Sequence, residues 1–128
     1  MRRVLLATSL LALVLPGGAN AAGFRTPSGN IACGLFGSVL RCDILSGLRP
    51  EPRGACELDW TGLTLTAGGR ARPTCAGDTV FDPRASILGY GKSWKRAGFT
   101  CLTTRSALVC TNRRGNGFLL AREGWRLL

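Results

Sequence analysis

The stretch best suited to binding chemistry is residues 90–96, where aromatic rings alternate with cations in the sequence YGKSWKR. Aromatic rings stack on sugars or bases, while lysine and arginine pair with phosphate or carboxylate groups. The segment therefore supplies five candidate binding residues, which are Tyr90, Lys92, Trp94, Lys95 and Arg96. The competing interpretation packs Trp94 into the core beside Tyr90 and leaves the cations simply solvated.

A second candidate lies at residues 113–117, RRGNG, where two arginines adjoin a glycine-rich turn. Backbone N–H groups in such a turn can hold an anion, which makes Arg113, Arg114 and Asn116 candidate binding residues. The alternative is an ordinary type I′ turn flanked by solubilising charge. Because both segments adjoin the same predicted hairpin, we expect them to form one basic face.

Catalytic chemistry is poorly represented. The chain has no histidine, and oxidation of every cysteine would remove thiol nucleophiles, so Ser-His and Cys-His mechanisms are excluded. Glycoside hydrolysis needs two carboxylates about 5–10 Å apart, for which Glu57 with Asp59, or Asp78 with Asp82, are the candidates. Turn or cap roles for Asp78 and Asp82 and a surface salt bridge for Glu57 are the simpler interpretation. We predict no catalytic residues and rank a carboxylate hydrolase last.

The first 21 residues have the pattern of an export signal. Two arginines precede an apolar run at residues 4–15, a Pro-Gly-Gly break follows, and Ala-Asn-Ala supplies the cleavage pattern. The run is shorter than the roughly 20 residues of a membrane-spanning helix. We therefore predict a signal peptide at 1–21, one mature domain at 22–128 with no transmembrane segment, and a secreted or periplasmic location.

The charge of the mature chain is uneven. Without the two arginines of the predicted signal peptide, 15 basic residues oppose 7 acidic ones, a net charge of +8 (15 − 7). Residues 90–128 contain eight of these cations and one glutamate, a net charge of +7 (8 − 1). A basic half on an exported protein favours an anionic partner, although arginine-rich composition alone would give the same balance.

Six cysteines, all in the mature part, predict three disulfides in an exported chain. Two pairs share the spacing Cys-x8-Cys, which suits directly opposed residues of a hairpin. We therefore predict sequential pairing among the fifteen possible connectivities, namely Cys33–Cys42, Cys56–Cys75 and Cys101–Cys110. No pair has C-x2-C spacing and histidine is absent, so neither a metal nor a cofactor is predicted.

These cysteines set the register of the predicted hairpins. Facing Cys33 with Cys42 leaves Gly37-Ser38 as a two-residue loop, and facing Cys101 with Cys110 puts Arg105-Ser106 at a tip. An Asn116-Gly117 turn then leads into a third strand, which makes residues 98–118 a three-strand meander.

The remaining segments are also read as strands and turns. Residues 56–66 alternate as a strand, and centring the next turn on two glycines places Gly62 opposite Cys75. Asp82-Pro83 is a helix-start signal, limited by nearby glycines to a turn or two. Seven to nine short strands predict an all-β, antiparallel domain, either sandwich-like or barrel-like.

Several longer sequence motifs resemble those of a known family. They include FRTPSGNIAC at 24–33, CELDW at 56–60, CAGDT at 75–79 and GNGFLLAR at 115–122. Together they resemble a family of small exported bacterial proteins classed as a domain of unknown function. In that family the closing motif often reads Gly-His-Gly-Phe, whereas position 116 is asparagine here. The resemblance implies an all-β, disulfide-bonded exported domain and supplies no activity or functional residue.

The function most consistent with these patterns is a non-enzymatic binding module. Its basic C-terminal face would bind an anionic partner, with envelope glycan or a lipid headgroup preferred to nucleic acid because of the predicted compartment. The alternative is a protein-interaction module, such as an inhibitor of a secreted hydrolase, in which stapled hairpin tips present a rigid loop.

Overall fold

The computed structural model describes residues 7–9 and 22–128, and within them the chain is all β with no helix. The predicted signal peptide at 1–21 lies outside the described residues except at positions 7–9. One sheet has six strands in the order β5-β4-β3-β2-β1-β6, and the other has five in the order β11-β10-β9-β8-β7.

The strands of the first sheet are β1 (Gly23–Arg25), β2 (Ile31–Phe36), β3 (Val39–Ile44), β4 (Asp59–Thr66), β5 (Arg72–Ala76) and β6 (Ser86–Ile87). Those of the second are β7 (Ser93–Arg96), β8 (Phe99–Thr103), β9 (Leu108–Thr111), β10 (Gly117–Leu120) and β11 (Trp125–Leu127). All neighbours are antiparallel except β1 and β6, which run parallel. The eleven strands of the described residues exceed the predicted seven to nine because short edge strands extend both sheets.

The predicted registers of both Cys-x8-Cys hairpins are confirmed. Cys33 faces Cys42 across β2 and β3, and Gly37 in the connecting loop has a φ of 61° that suits glycine. Cys101 faces Cys110 across β8 and β9. Each of these two pairs forms a disulfide within its own sheet.

The Asn116-Gly117 prediction is wrong in detail. The β9–β10 loop spans residues 112–116, with Gly115 at a φ of 80°, whereas Gly117 already pairs with Thr111 inside the ladder. The loop is longer than two residues because the Asn112 backbone closes it, donating to the Asn116 carbonyl at 2.8 Å. The predicted three-strand meander is thus the centre of a five-strand one.

One core lies between the two sheets. Phe24 from the first sheet and Phe99 and Phe118 from the second are almost fully buried in a single apolar cluster. The disulfides Cys33–Cys42 and Cys101–Cys110 also lie there, with the Sγ atoms of Cys33, Cys42 and Cys110 all within 4.8 Å of one another. Two separate sheets facing a shared core form a sandwich rather than a closed barrel.

The third disulfide, Cys56–Cys75, ties a loop to a strand as predicted, but the surrounding register differs. Strand β4 begins at Asp59, so residues 56–58 are not part of the predicted strand. A bulge between Trp60 and Gly62 puts Trp60 opposite Cys75 and Gly62 opposite Thr74.

The predicted short helix at Asp82-Pro83 is absent from the structure. The Asp82 carboxylate accepts the Arg84 N–H at 2.9 Å, and the Asp82 carbonyl accepts the Ala85 N–H at 3.0 Å. These bonds close a single turn. The chain then enters β6, whose pairing with β1 requires an extended backbone and prevents further helix.

Candidate functional site

Four chain reversals meet at one end of the sandwich. They are the turns at residues 37–38 and 67–71 in the first sheet, and those at 97–98 and 112–116 in the second. The Ala67 N–H donates to the Ser38 carbonyl at 2.9 Å, which joins the first two. The β7–β8 turn, Ala97-Gly98, has positive φ at both residues, as a type I′ hairpin requires.

Asn112 ties the two sheets together at this end. Its side chain is buried, and its Nδ2 donates to the carbonyls of Thr66 at 2.9 Å and Gly69 at 2.8 Å in the opposite sheet. Its Oδ1 accepts the N–H groups of Arg114 at 3.0 Å and Asn116 at 3.1 Å. The asparagine therefore fixes the β9–β10 loop against the β4–β5 turn.

These reversals bring together five cations, which we call the basic end: Arg70, Lys95, Arg96, Arg113 and Arg114. The segments that build it, residues 35–40, 66–71, 95–100 and 111–117, contain no aspartate or glutamate. Local contacts also connect the turns. A Cβ placed on Gly98 would lie 2.9 Å from the Nε of Arg113, and one on Gly68 would lie 3.8 Å from the Nε of Arg114.

The charges of the basic end are largely unneutralised. Among the described residues, Arg70, Lys95, Arg113 and Arg114 form no salt bridge, and all four side chains are exposed. Close cations with no opposing carboxylate produce a positive potential that attracts anions.

The backbone of the β9–β10 loop does not form the anion site expected from the sequence. The N–H groups of Arg114 and Asn116 donate to the Asn112 side chain, and the Gly115 N–H donates to the Asn112 carbonyl at 3.1 Å. The Gly117 N–H also has an acceptor, the Leu128 carbonyl. An anion at this loop would therefore meet the arginine side chains rather than the backbone.

The residues of the 90–96 segment separate in space. Trp94 packs on the core, with its ring centroid 5.2 Å from that of Phe24, so the core interpretation of this residue is correct. Lys95 and Arg96 close β7 at the basic end. Tyr90 and Lys92 lie at the other end, where the Gly91 N–H donates to the Thr103 carbonyl at 2.7 Å.

The candidate binding residues therefore do not form one basic face, contrary to the expectation from the sequence. The five-residue strand β8 runs from Phe99 at the basic end to Thr103 beside Tyr90, a span of about 13 Å at roughly 3.3 Å per residue. Residues that are neighbours in sequence lie at opposite ends because the short strand β7 carries the chain between them.

The candidate carboxylates occupy separate environments. Arg41 forms salt bridges of 2.9 Å to both the buried Asp43 and the exposed Asp78, and Asp43 also accepts the Val80 N–H. The Arg41 hydrogen bond, supported by its charge, lowers the pKa of Asp78. Asp82 closes the turn described above. The proposed pairing of Glu57 with Asp59 on one strand face fails, because Glu57 precedes β4.

A broad cleft of about 660 Å³ lies over the first sheet, beside the loop between β3 and β4. Its walls include Glu51, Asp59, Trp60 and Phe81. Asp59 therefore shares a cleft with Glu51 rather than a strand face with Glu57, the partner that sequence spacing had suggested.

Sequence reasoning missed Arg70 of the basic end and Asn112, which holds the β9–β10 loop beneath it. Arg70 lies in a nearly charge-balanced region of the sequence, and only the cross-sheet contacts bring its turn to the β9–β10 loop. Asn112 could have been recognised from the Asn-x-x-Gly pattern typical of a side-chain-closed turn.

Two sheets, a shared core and three disulfides define the class as a small disulfide-bonded β-sandwich domain with one basic end. The chain belongs to a family of unknown function, DUF6636, whose model matches residues 5–128. No curated protein and no solved structure matches the chain. Family membership confirms the resemblance noted from the sequence and assigns no activity.

The structure also bears on the cellular setting. Three disulfides fit an oxidising compartment. Within residues 7–9 and 22–128, no helix has the length and hydrophobicity needed to cross a bilayer.

Proposed function

We propose that this protein is an exported, non-enzymatic binding module that holds an anionic polymer of the cell envelope at its basic end. The observation that carries the proposal is the convergence of five cations onto a surface whose own segments contain no acidic residue. They come from the β4–β5 turn (Arg70), the end of β7 (Lys95 and Arg96) and the β9–β10 loop (Arg113 and Arg114). Several cations on a rigid frame suit repeated anionic groups along a polymer, because each contact adds to the others without reordering the protein.

The test compares two double variants of equal charge change. Arg113→Gln with Arg114→Gln removes two charges from the basic end, whereas Arg53→Gln with Lys92→Gln removes two exposed charges at the other end. We expect the first pair to lose co-sedimentation with an anionic cell-wall fraction and the second to retain it. If both pairs lose co-sedimentation equally, binding depends only on the net charge of the protein, and the proposed site is overturned.

The exported state is part of the proposal and has its own measurement. Mass spectrometry of the protein from culture supernatant or periplasm should give an N-terminus at Ala22. A protein that keeps the first 21 residues and remains in the cytoplasmic fraction would contradict export.

The inhibitor alternative predicts a different binding pattern. A pull-down from culture supernatant should then return one stoichiometric protein partner that withstands moderate salt, whereas polymer binding at the basic end should be lost as salt rises.

The hydrolase alternative depends on Asp59 in the broad cleft. Hydrolysis of a glycan panel that is measurable in the unmodified protein and lost in Asp59→Asn would establish it in place of the binding module.

A further inference from the structure

A second, smaller cleft lies at the end of the sandwich opposite the basic end, with a volume of about 160 Å³. Its walls are the turn after β1, the β8–β9 tip at residues 104–107 and the β10–β11 turn at residues 121–124. The volume corresponds to about five water molecules and is well below the roughly 300 Å³ of a drug-sized pocket. The cleft therefore suits one small ring rather than a polymer segment.

Internal hydrogen bonds hold two of these walls in place. In the turn after β1, the Thr26 N–H donates to the Ile31 carbonyl at 2.9 Å, and the Thr26 hydroxyl accepts the Ile31 N–H at 3.2 Å. In the β8–β9 tip, the Thr104 hydroxyl accepts the N–H groups of Ser106 at 3.3 Å and Ala107 at 3.2 Å. A ligand would meet walls that are already ordered, which lowers the entropic cost of binding.

The charged side chains of the cleft remain available. Arg105 makes a cation–π contact with Tyr90, with its Cζ over the ring at 5.0 Å from the centroid. Its guanidinium makes no hydrogen bond among the described residues, so its N–H donors are available to oxygen acceptors. Arg122 and Glu123 also line the cleft, and none of these three charged residues forms a salt bridge within the part of the chain that the structure describes.

We propose that this cleft binds a monosaccharide-sized acidic sugar, meaning one hydroxylated ring that carries a single carboxylate or phosphate group. Arg105 and Arg122 would donate charge-assisted hydrogen bonds to the anionic group. Glu123 would accept from a ring hydroxyl, and the exposed Tyr90 ring would contact the C–H surface of the sugar. This site is separate from the basic end and does not rest on the function proposed for it.

Three sugars, with inorganic phosphate as a fourth probe, test the chemistry by isothermal titration of the mature, oxidised protein. Glucuronate and glucose 6-phosphate carry the two possible anionic groups on the same kind of ring, and glucose carries neither. We expect at least one acidic sugar to bind about tenfold or more tightly than glucose, because charge-assisted hydrogen bonds are the stronger ones. Equal affinity for all three, or no binding by either acidic sugar, overturns the proposal. Inorganic phosphate that matches the better acidic sugar overturns the sugar component.

Variants then locate the site. Arg105→Gln should lower the affinity of the protein for the acidic sugar by about tenfold or more. The matched Arg113→Gln at the basic end should leave that affinity unchanged. Equal weakening by both substitutions would contradict a site in the cleft. Because Arg105 lies at an exposed tip outside the core, an unchanged thermal unfolding curve should accompany the loss. Polymer binding at the basic end is measured separately, so either proposal can fail while the other stands.

Discussion

Removal of Arg113 and Arg114 should change how steeply polymer binding depends on salt. Binding of a densely charged polyanion releases about 0.7–0.9 counterions for each anionic group that the protein neutralises. If all five cations of the basic end take part, the slope of log K against log salt concentration is about −4, so affinity falls by roughly 250-fold between about 50 and 200 mM salt. With Arg113→Gln and Arg114→Gln three cations remain, and the slope becomes about −2.5, a fall of roughly 30-fold.

The assay is fluorescence anisotropy of a labelled heparin fragment titrated with mature protein at several salt concentrations. The control pair, Arg53→Gln with Lys92→Gln, lowers the net charge of the mature chain equally, from +8 to +6 (8 − 2), and should keep the slope near −4. A slope near zero in the unmodified protein, or the same reduction in both pairs, would refute the assignment of binding to the basic end.

Three further substitutions test the frame. Asn112→Ala should lower the free energy of unfolding in urea by about 2–4 kcal/mol, because it leaves buried backbone partners unsatisfied; an unchanged value would contradict the cross-sheet link. Gly62→Ala should destabilise strongly in the same assay, since its Cβ would collide with the backbone of β3, whereas Gly77→Ala meets only ordinary contacts and serves as the control. Arg41 lowers the folded pKa of Asp78, so that carboxylate adds stability above its unfolded pKa and loses it as pH falls through the folded value. Asp78→Asn should therefore lower Tm at neutral pH and have no effect in strong acid, and an equal change at both pH values would count against the pair.

Local spacing was enough to predict much of the fold. An even number of residues between Cys33 and Cys42 permits direct opposition, and a glycine at the centre of the interval supplies the turn, so register and disulfide followed together. The bulge after Trp60 had no comparable signal. The bulge places Gly62 opposite Thr74, and position 62 requires glycine because a Cβ there would collide with the backbone of β3. That collision depends on a strand distant in sequence.

The candidate site was harder to predict because it depends on contacts between sheets. Arg70 reaches the basic end because Asn112, more than forty residues away, donates hydrogen bonds to the Thr66 and Gly69 carbonyls of the turn that carries Arg70. Tyr90 lies away from the basic end because strand β7 carries the chain from Tyr90 at one end of the sandwich to Lys95 and Arg96 at the other. Residue types therefore identified the cations, whereas the grouping of those cations depended on how the two sheets dock.

The facing pair of core disulfides has a consequence for how the protein acquires its covalent structure. Thiolates exchange with any disulfide sulfur within reach, and Cys110 lies within 4.8 Å of both Cys33 and Cys42. Once the sheets have docked, cross-sheet isomers are sterically close to the native pairing. Correct pairing is therefore favoured by oxidation of each hairpin while it is still separate, when a short loop closes at low entropic cost. After docking, all four cysteines are almost completely buried, which shields their sulfur atoms from external reductants. The disulfides formed before docking are therefore retained in the folded protein.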